Sequence, residues 1–80
     1  MEREQIIEKL TFICKEVFEN DNFVYDAGLS VGNVDGWTSL TNMMLVAELE
    51  KEFNVKFKLL ELSTLDNMAA IVSALEAHLS

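Results

Sequence analysis

The chain has one cysteine, Cys14, and one histidine, His78, so no internal disulfide can form and no clustered nitrogen and sulfur ligands exist for a structural zinc ion. Basic residues are scarce: six Lys and Arg stand against fourteen Asp and Glu, for a net charge of -8. Such a surface repels phosphate backbones and attracts a basic protein surface over a Debye length of about 8 Å, which argues against a nucleic-acid partner. Long hydrophobic runs are missing too. The run from Met43 to Ala47 is as long as any, whereas a membrane-spanning helix needs ~20 such residues. The opening MEREQIIEKL has neither an extended apolar stretch nor a small-residue cleavage site, so it does not read as a signal peptide and a cytoplasmic location is expected. Eighty residues, half of them apolar, suffice for one core and are too few for two, so residues 1-80 are expected to form a single domain and a monomer.

Residues 2 to 19 lack Gly and Pro, and Ile6, Leu10, Ile13 and Val17 recur at intervals of four, three and four, which predicts a first helix with one buried stripe. Ile7, Cys14 and Phe18 flank that stripe, and Cys14 reads as a core side chain because no base or helix N-terminus activates it. Phe12 projects from the opposite, charged face and is a candidate partner contact. From Asn20 to Gly36 the segments NDN, DAG and VGNVDG predict a long ordered loop, with Phe23, Val24, Leu29, Val31 and Val34 as its anchors. Loops of that length are uncommon unless they are functional.

Thr38 or Asp35 can cap a second helix, which Leu45, Leu49 and Phe53 carry on one stripe until Asn54 ends it. Ser39 falls in its first turn. Val55, Lys56 and Phe57 read as extended, Lys58 to Leu62 as a short helix, and Asn67 as the cap of a last helix bearing Met68, Ile71 or Val72, Leu75 and Leu79. With no convincing strand pair, the expected fold class is all-α: a small four-helix bundle with three main helices, a short third helix and a long loop between the first two.

Several chemistries can be tested against these positions. Aligning Asp35-Gly36 with positions five and six of a calcium-binding EF-hand puts Val31 first and Asn42 twelfth, where carboxylates are required. Glu48, Glu50 and Glu52 read as a solvated helix face rather than as paired catalytic carboxylates. A serine hydrolase would need a histidine beside Ser39, but no G-x-S-x-G elbow surrounds the serine. His78 reads instead as an exposed residue near a helix C-terminus, where positive charge is favourable. Intrinsic catalysis is not expected.

The stretch Gly36-Trp37-Thr38-Ser39-Leu40, a following helix that ends in Leu49-Glu50-Lys51-Glu52-Phe53-Asn54-Val55, and Leu65-Asp66-Asn67-Met68 at the last helix resemble the acyl carrier protein family over essentially residues 2 to 80. The resemblance implies that Ser39 receives a covalent 4'-phosphopantetheine arm from coenzyme A. A separate phosphopantetheinyl transferase would attach it, and the arm's thiol would carry acyl groups as thioesters for fatty acid, polyketide or specialised lipid synthesis. It implies a carrier that serves acyl-loading and acyl-processing enzymes without being an enzyme itself. The bundle interior would offer apolar room for part of the acyl chain.

Thr38 stands where the family usually has Asp, and Thr41 and Met44 stand where it often has acidic residues. Thr38, Leu40, Thr41, Met44 and Glu48 are therefore the candidate partner contacts, with Leu40 and Met44 supplying apolar surface and the acidic end steering. Met43 is expected to fill the core, as flexible methionine often does. Two alternatives remain open: an aminoacyl or peptidyl carrier, including a D-alanyl carrier, using the same serine, and a helical interaction module in which Ser39 is only a first-turn residue.

Overall fold

A computed structural model describes residues 1-80 as four helices: α1 (Arg3-Val17), α2 (Ser39-Phe53), α3 (Leu59-Leu62) and α4 (Met68-Leu79). α1 packs on both α2 and α4. Its buried residues are Ile6, Leu10, Ile13 and Cys14, while Val17 lies half-buried against them. Burial pushes the Cys14 thiol up to about 12, which keeps it a neutral core group rather than a nucleophile.

α2 buries the stripe Leu45, Leu49 and Phe53, and it stops where Asn54 takes the left-handed conformation at φ 54°. α4 buries Met68, Ile71, Val72 and Leu75, and Asn67 caps it by accepting a 2.8 Å hydrogen bond from the Ala70 amide. The sixteen buried residues are all apolar, and five of them, Phe18, Phe23, Trp37, Phe57 and Leu65, lie outside the helices. The connections are thus part of the core.

This is clearest in the loop between α1 and α2. Val31 donates its amide to Asp66 O, Met68 donates to Leu29 O, and Ser30 and Asn67 form one antiparallel bridge, fastening the loop to the start of α4. Phe23 is buried, as the pattern predicts, and Leu29, Val31 and Val34 are half-buried against the core. Val24 differs from its expected role as an anchor and is exposed. Its neighbours Phe23 and Tyr25 pack toward the core, whereas Val24 between them does not.

α3 has no buried residue of its own. The buried side chains of Phe57 and Leu65 hold the segment at either end. From α2, Glu50 accepts a 2.8 Å hydrogen bond from the Phe57 amide, so Glu50 is not the purely solvated residue its spacing predicts. His78 also departs from expectation. Rather than exposed, its ring is half-buried, with Nε2 3.0 Å from both Glu61 carboxylate oxygens and its plane edge-on to Phe57 at a 5.2 Å centroid distance. No helix is long and apolar enough to cross a membrane.

Candidate functional site

The turn before α2 is built by close approach. Gly36 has φ +87°, and a Cβ placed there would lie 2.5 Å from the Phe18 carbonyl oxygen, so only glycine lets the loop press onto the end of α1. Trp37 follows at 1% exposure, stacked on Phe18 with ring centroids 5.4 Å apart. Phe18 in turn meets Phe23 edge-on at 5.7 Å. The indole Nε1 donates to Asn42 Oδ1 at 2.9 Å, and Asn42 Nδ2 donates to Leu65 O at 2.9 Å. One amide side chain thereby joins the loop, α2 and the approach to α4.

Thr38, not Asp35, is the cap of α2. Its Oγ1 accepts from the Thr41 amide at 3.2 Å, and Thr41 Oγ1 accepts in return from the Thr38 amide at 2.7 Å. Thr41 also donates its hydroxyl to Gly36 O at 2.6 Å. Of the five candidate contacts, Thr41 is therefore half-buried with its hydroxyl committed to the cap, while Thr38, Leu40, Met44 and Glu48 are exposed.

Ser39 is the first residue of α2, exposed, and its hydroxyl takes part in none of the hydrogen bonds that build the turn. At this position the amides of Ser39 and Leu40 have no intrahelical acceptor and share the positive end of the helix dipole. No acidic residue occupies the first turn. A negatively charged substituent on Ser39 Oγ would meet donors and no nearby helix carboxylate. The sole histidine is engaged by Glu61, so no imidazole is brought to Ser39 to serve as a base.

Met43 is 71% exposed, which overturns its expected place in the core. At about 100° per residue, a residue two positions before Leu45 points almost directly away from it. Met43 lines instead a surface groove of about 320 Å³ between α2 and α3, together with Asn42, Val46, Ala47, Glu50 and Leu62. This open groove, rather than the bundle interior, holds the apolar room near the serine helix. Asn42 was not among the expected site residues. Its signal was present, since it precedes Leu45 and Leu49 by three and seven residues and so places a polar side chain beside the buried stripe, where it needs a partner.

Comparison with known proteins matches no family model and no curated protein by sequence. Among solved structures, the chain is similar to a holo acyl carrier protein from Geobacter metallireducens determined by solution NMR. The two share 33% identity and superpose with a TM-score of 0.83, over 91% of this chain and 84% of that one.

Proposed function

The chain belongs to the acyl carrier protein family, and on that premise we propose that it carries acyl intermediates on a 4'-phosphopantetheine arm attached to Ser39. The observation that carries this reading is the presentation of Ser39: an exposed hydroxyl on the first residue of α2, outside the cap's hydrogen bonds, on a turn held by Gly36, Trp37 and Asn42. The residues present fit the group. The first-turn amides of Ser39 and Leu40 face a phosphodiester with open donors, and the helix dipole favours its charge.

In the modification, Ser39 Oγ gives up its proton and forms the new O-P bond as the pyrophosphate linkage of coenzyme A breaks and 3',5'-ADP departs. A phosphopantetheinyl transferase, with its divalent metal, supplies the activation that this chain's residues do not. When bound, the arm supplies a terminal thiol that holds the cargo as a thioester. Cys14, buried and held neutral, does not compete for that role.

The apolar lining of the α2-α3 groove, by Met43, Val46, Ala47 and Leu62, favours an acyl over a polar aminoacyl cargo. That supports a place in fatty acid, polyketide or related lipid synthesis. Thr38, Leu40, Thr41 and Met44 at the Ser39 end of α2, with Glu48 farther along the helix, form the side that the transferase and the acyl-loading and acyl-processing enzymes approach. Thr38 and Thr41 shape the turn, Leu40 and Met44 offer contact area, and Glu48 provides steering charge.

Incubation with coenzyme A, magnesium and a broad-specificity phosphopantetheinyl transferase, followed by intact-mass measurement, tests the assignment. A phosphopantetheine-sized gain in the wild type that is absent from Ser39→Ala is expected. An unchanged mass with several transferases would overturn it.

A further inference from the structure

The entry to α3 reverses the character of the rest of the surface. From Phe53 to Leu60 the chain has two lysines and no carboxylate, in a protein of net charge -8. Leu59 is 82% exposed and Leu60 86%, more than any other large apolar side chain here. Phe57 is buried and Val55 half-buried, while Lys56 and Lys58 are exposed. Two free cations and two open leucines thus fall within five consecutive positions.

The two carboxylates bonded to this segment are turned to its backbone. Glu50 of α2 accepts the Phe57 amide at 2.8 Å, and Glu61 accepts the Lys58 amide at 2.7 Å while facing His78 of α4. The ion pairs are Arg3-Glu76 and His78-Glu61, and neither Lys56 nor Lys58 joins one; Lys58 adds only the weakest of the attractions that Glu61 feels. Because Glu50 holds Phe57 and Asn42 holds Leu65 O, residues 57 to 65 run antiparallel to residues 42 to 50 of α2. Eight residues at 1.5 Å each separate those two ties by about 12 Å, so Leu59 and Leu60 lie toward the end of α2 remote from Ser39.

We propose that this corner is a peripheral contact for an anionic lipid surface, with Leu59 and Leu60 entering the boundary between headgroups and acyl chains and Lys56 and Lys58 lying among the lipid phosphates. The inference goes beyond the carrier reading and does not depend on it. Charge complementarity selects the occupant: a bilayer rewards adjacent leucines and unpaired lysines without requiring a matching shape. An acidic protein would meet the same lysines, but a stable protein interface engages roughly 20 to 30 residues on each side, far more than this patch supplies. The net charge opposes contact only at long range. The molecule is 22 to 30 Å across, whereas charge is screened over about 8 Å at physiological ionic strength, so carboxylates on the far side of the bundle are not felt at α3. At about 0.01 M salt the screening length is about 30 Å and the whole molecule is repelled.

The test is co-sedimentation of the full chain, carrying Ser39→Ala so that no arm or acyl group contributes, with vesicles of phosphatidylcholine alone or mixed equally with phosphatidylglycerol. At about 0.15 M salt the mixed vesicles should bind with an association constant of about 10³ M⁻¹, an order below the ~10⁴ M⁻¹ of a single myristoyl chain. Binding should be weaker both at about 0.01 M salt and to phosphatidylcholine alone. Leu59→Ser, Leu60→Ser, Lys56→Gln and Lys58→Gln should each lower it by about threefold or more, with circular dichroism melts close to that of the parent chain. Phe12, 64% exposed beside Glu8 and Glu52, lies outside the patch. Phe12→Ser should therefore change binding by less than about twofold.

Failure to sediment with the mixed vesicles at about 0.15 M salt would overturn the lipid contact and leave an acidic protein surface as the chemistry that fits the patch. Equal losses from Phe12→Ser and Leu60→Ser would overturn it too, because the contact would then not be at α3. Neither result bears on the carrier assignment, since the measured chain lacks Ser39 and the mass gain of the wild type is a separate observation.

Discussion

Trp37 and Asn42 hold each other across the turn that presents Ser39: the indole Nε1 reaches Asn42 Oδ1 at 2.9 Å, while the other end of the same amide holds Leu65 O at 2.9 Å. Asn42→Ala leaves a part-buried indole donor and a part-buried carbonyl unpaired, a loss of about 1 to 3 kcal/mol. Asn42→Asp keeps the acceptor for Trp37 but sets a carboxylate oxygen against Leu65 O, so urea unfolding followed by tryptophan fluorescence should place both variants below wild type. Equal stability of all three would remove Asn42 from this role.

Two glycines with positive φ should respond differently to alanine. Gly36→Ala brings a Cβ to 2.5 Å from Phe18 O at φ +87°, where backbone must move; a Cβ at Gly32, at φ +98°, would meet no atom within 4 Å beyond its chain neighbours. Gly32→Ala should cost about 1 kcal/mol of backbone strain, and Gly36→Ala about 2 kcal/mol or more. Thermal melts compare the pair directly. Because Gly36 sets the approach of the loop to α1, its variant should also slow modification of Ser39.

Thr38 caps α2 without charge. Thr38→Ala removes the acceptor for the Thr41 amide and should cost about 1 kcal/mol. Thr38→Asp keeps an acceptor and adds a negative charge at the helix N-terminus, which should stabilise by about 0.3 to 1 kcal/mol at low salt. A destabilised Asp variant would contradict the cap geometry.

Glu61 links α3 to α4, and its contacts give stability a defined pH dependence. The Lys58 amide, first, and the His78 ring, second, hold its carboxyl below the ordinary value of 4.5. A carboxyl lowered on folding stabilises the fold above its unfolded value, and that contribution disappears as pH falls through the folded value, below 4.5. The melting-temperature gap between wild type and Glu61→Gln should therefore shrink as pH falls below 4.5. A gap that persists undiminished to strong acid would sink this account.

The helical framework was legible in the sequence because it is written in local periodicity. Leu45, Leu49 and Phe53 repeat at the helical interval, and Thr38, Asn54 and Asn67 have the side chains that end or begin a helix. The first-turn position of Ser39 was legible for the same reason, since it follows from the cap at Thr38. The misplaced residues have two different physical causes. Met43 and Val24 sit in apolar company, and their exposure follows from angular position, which composition does not carry. His78 and Glu50 were read as solvated because their partners, Glu61 and the Phe57 amide, are brought to them by tertiary packing. The groove between α2 and α3 is of the second kind: Met43 and Leu62 meet only in the fold.

The fastening of the long loop to the start of α4 also bears on how fast the chain can fold. Helical bundles with mainly local contacts form in microseconds to milliseconds, and their rates fall as contacts span more sequence. Here the Val31-Asp66 and Leu29-Met68 hydrogen bonds close a span of almost half the chain, and the entropy of that closure must be met before the contacts across it can contribute. Refolding should accordingly show the slower rate of a chain with distant pairings, with changes at Val31 or Asn67 altering the folding limb more than helix-surface changes do.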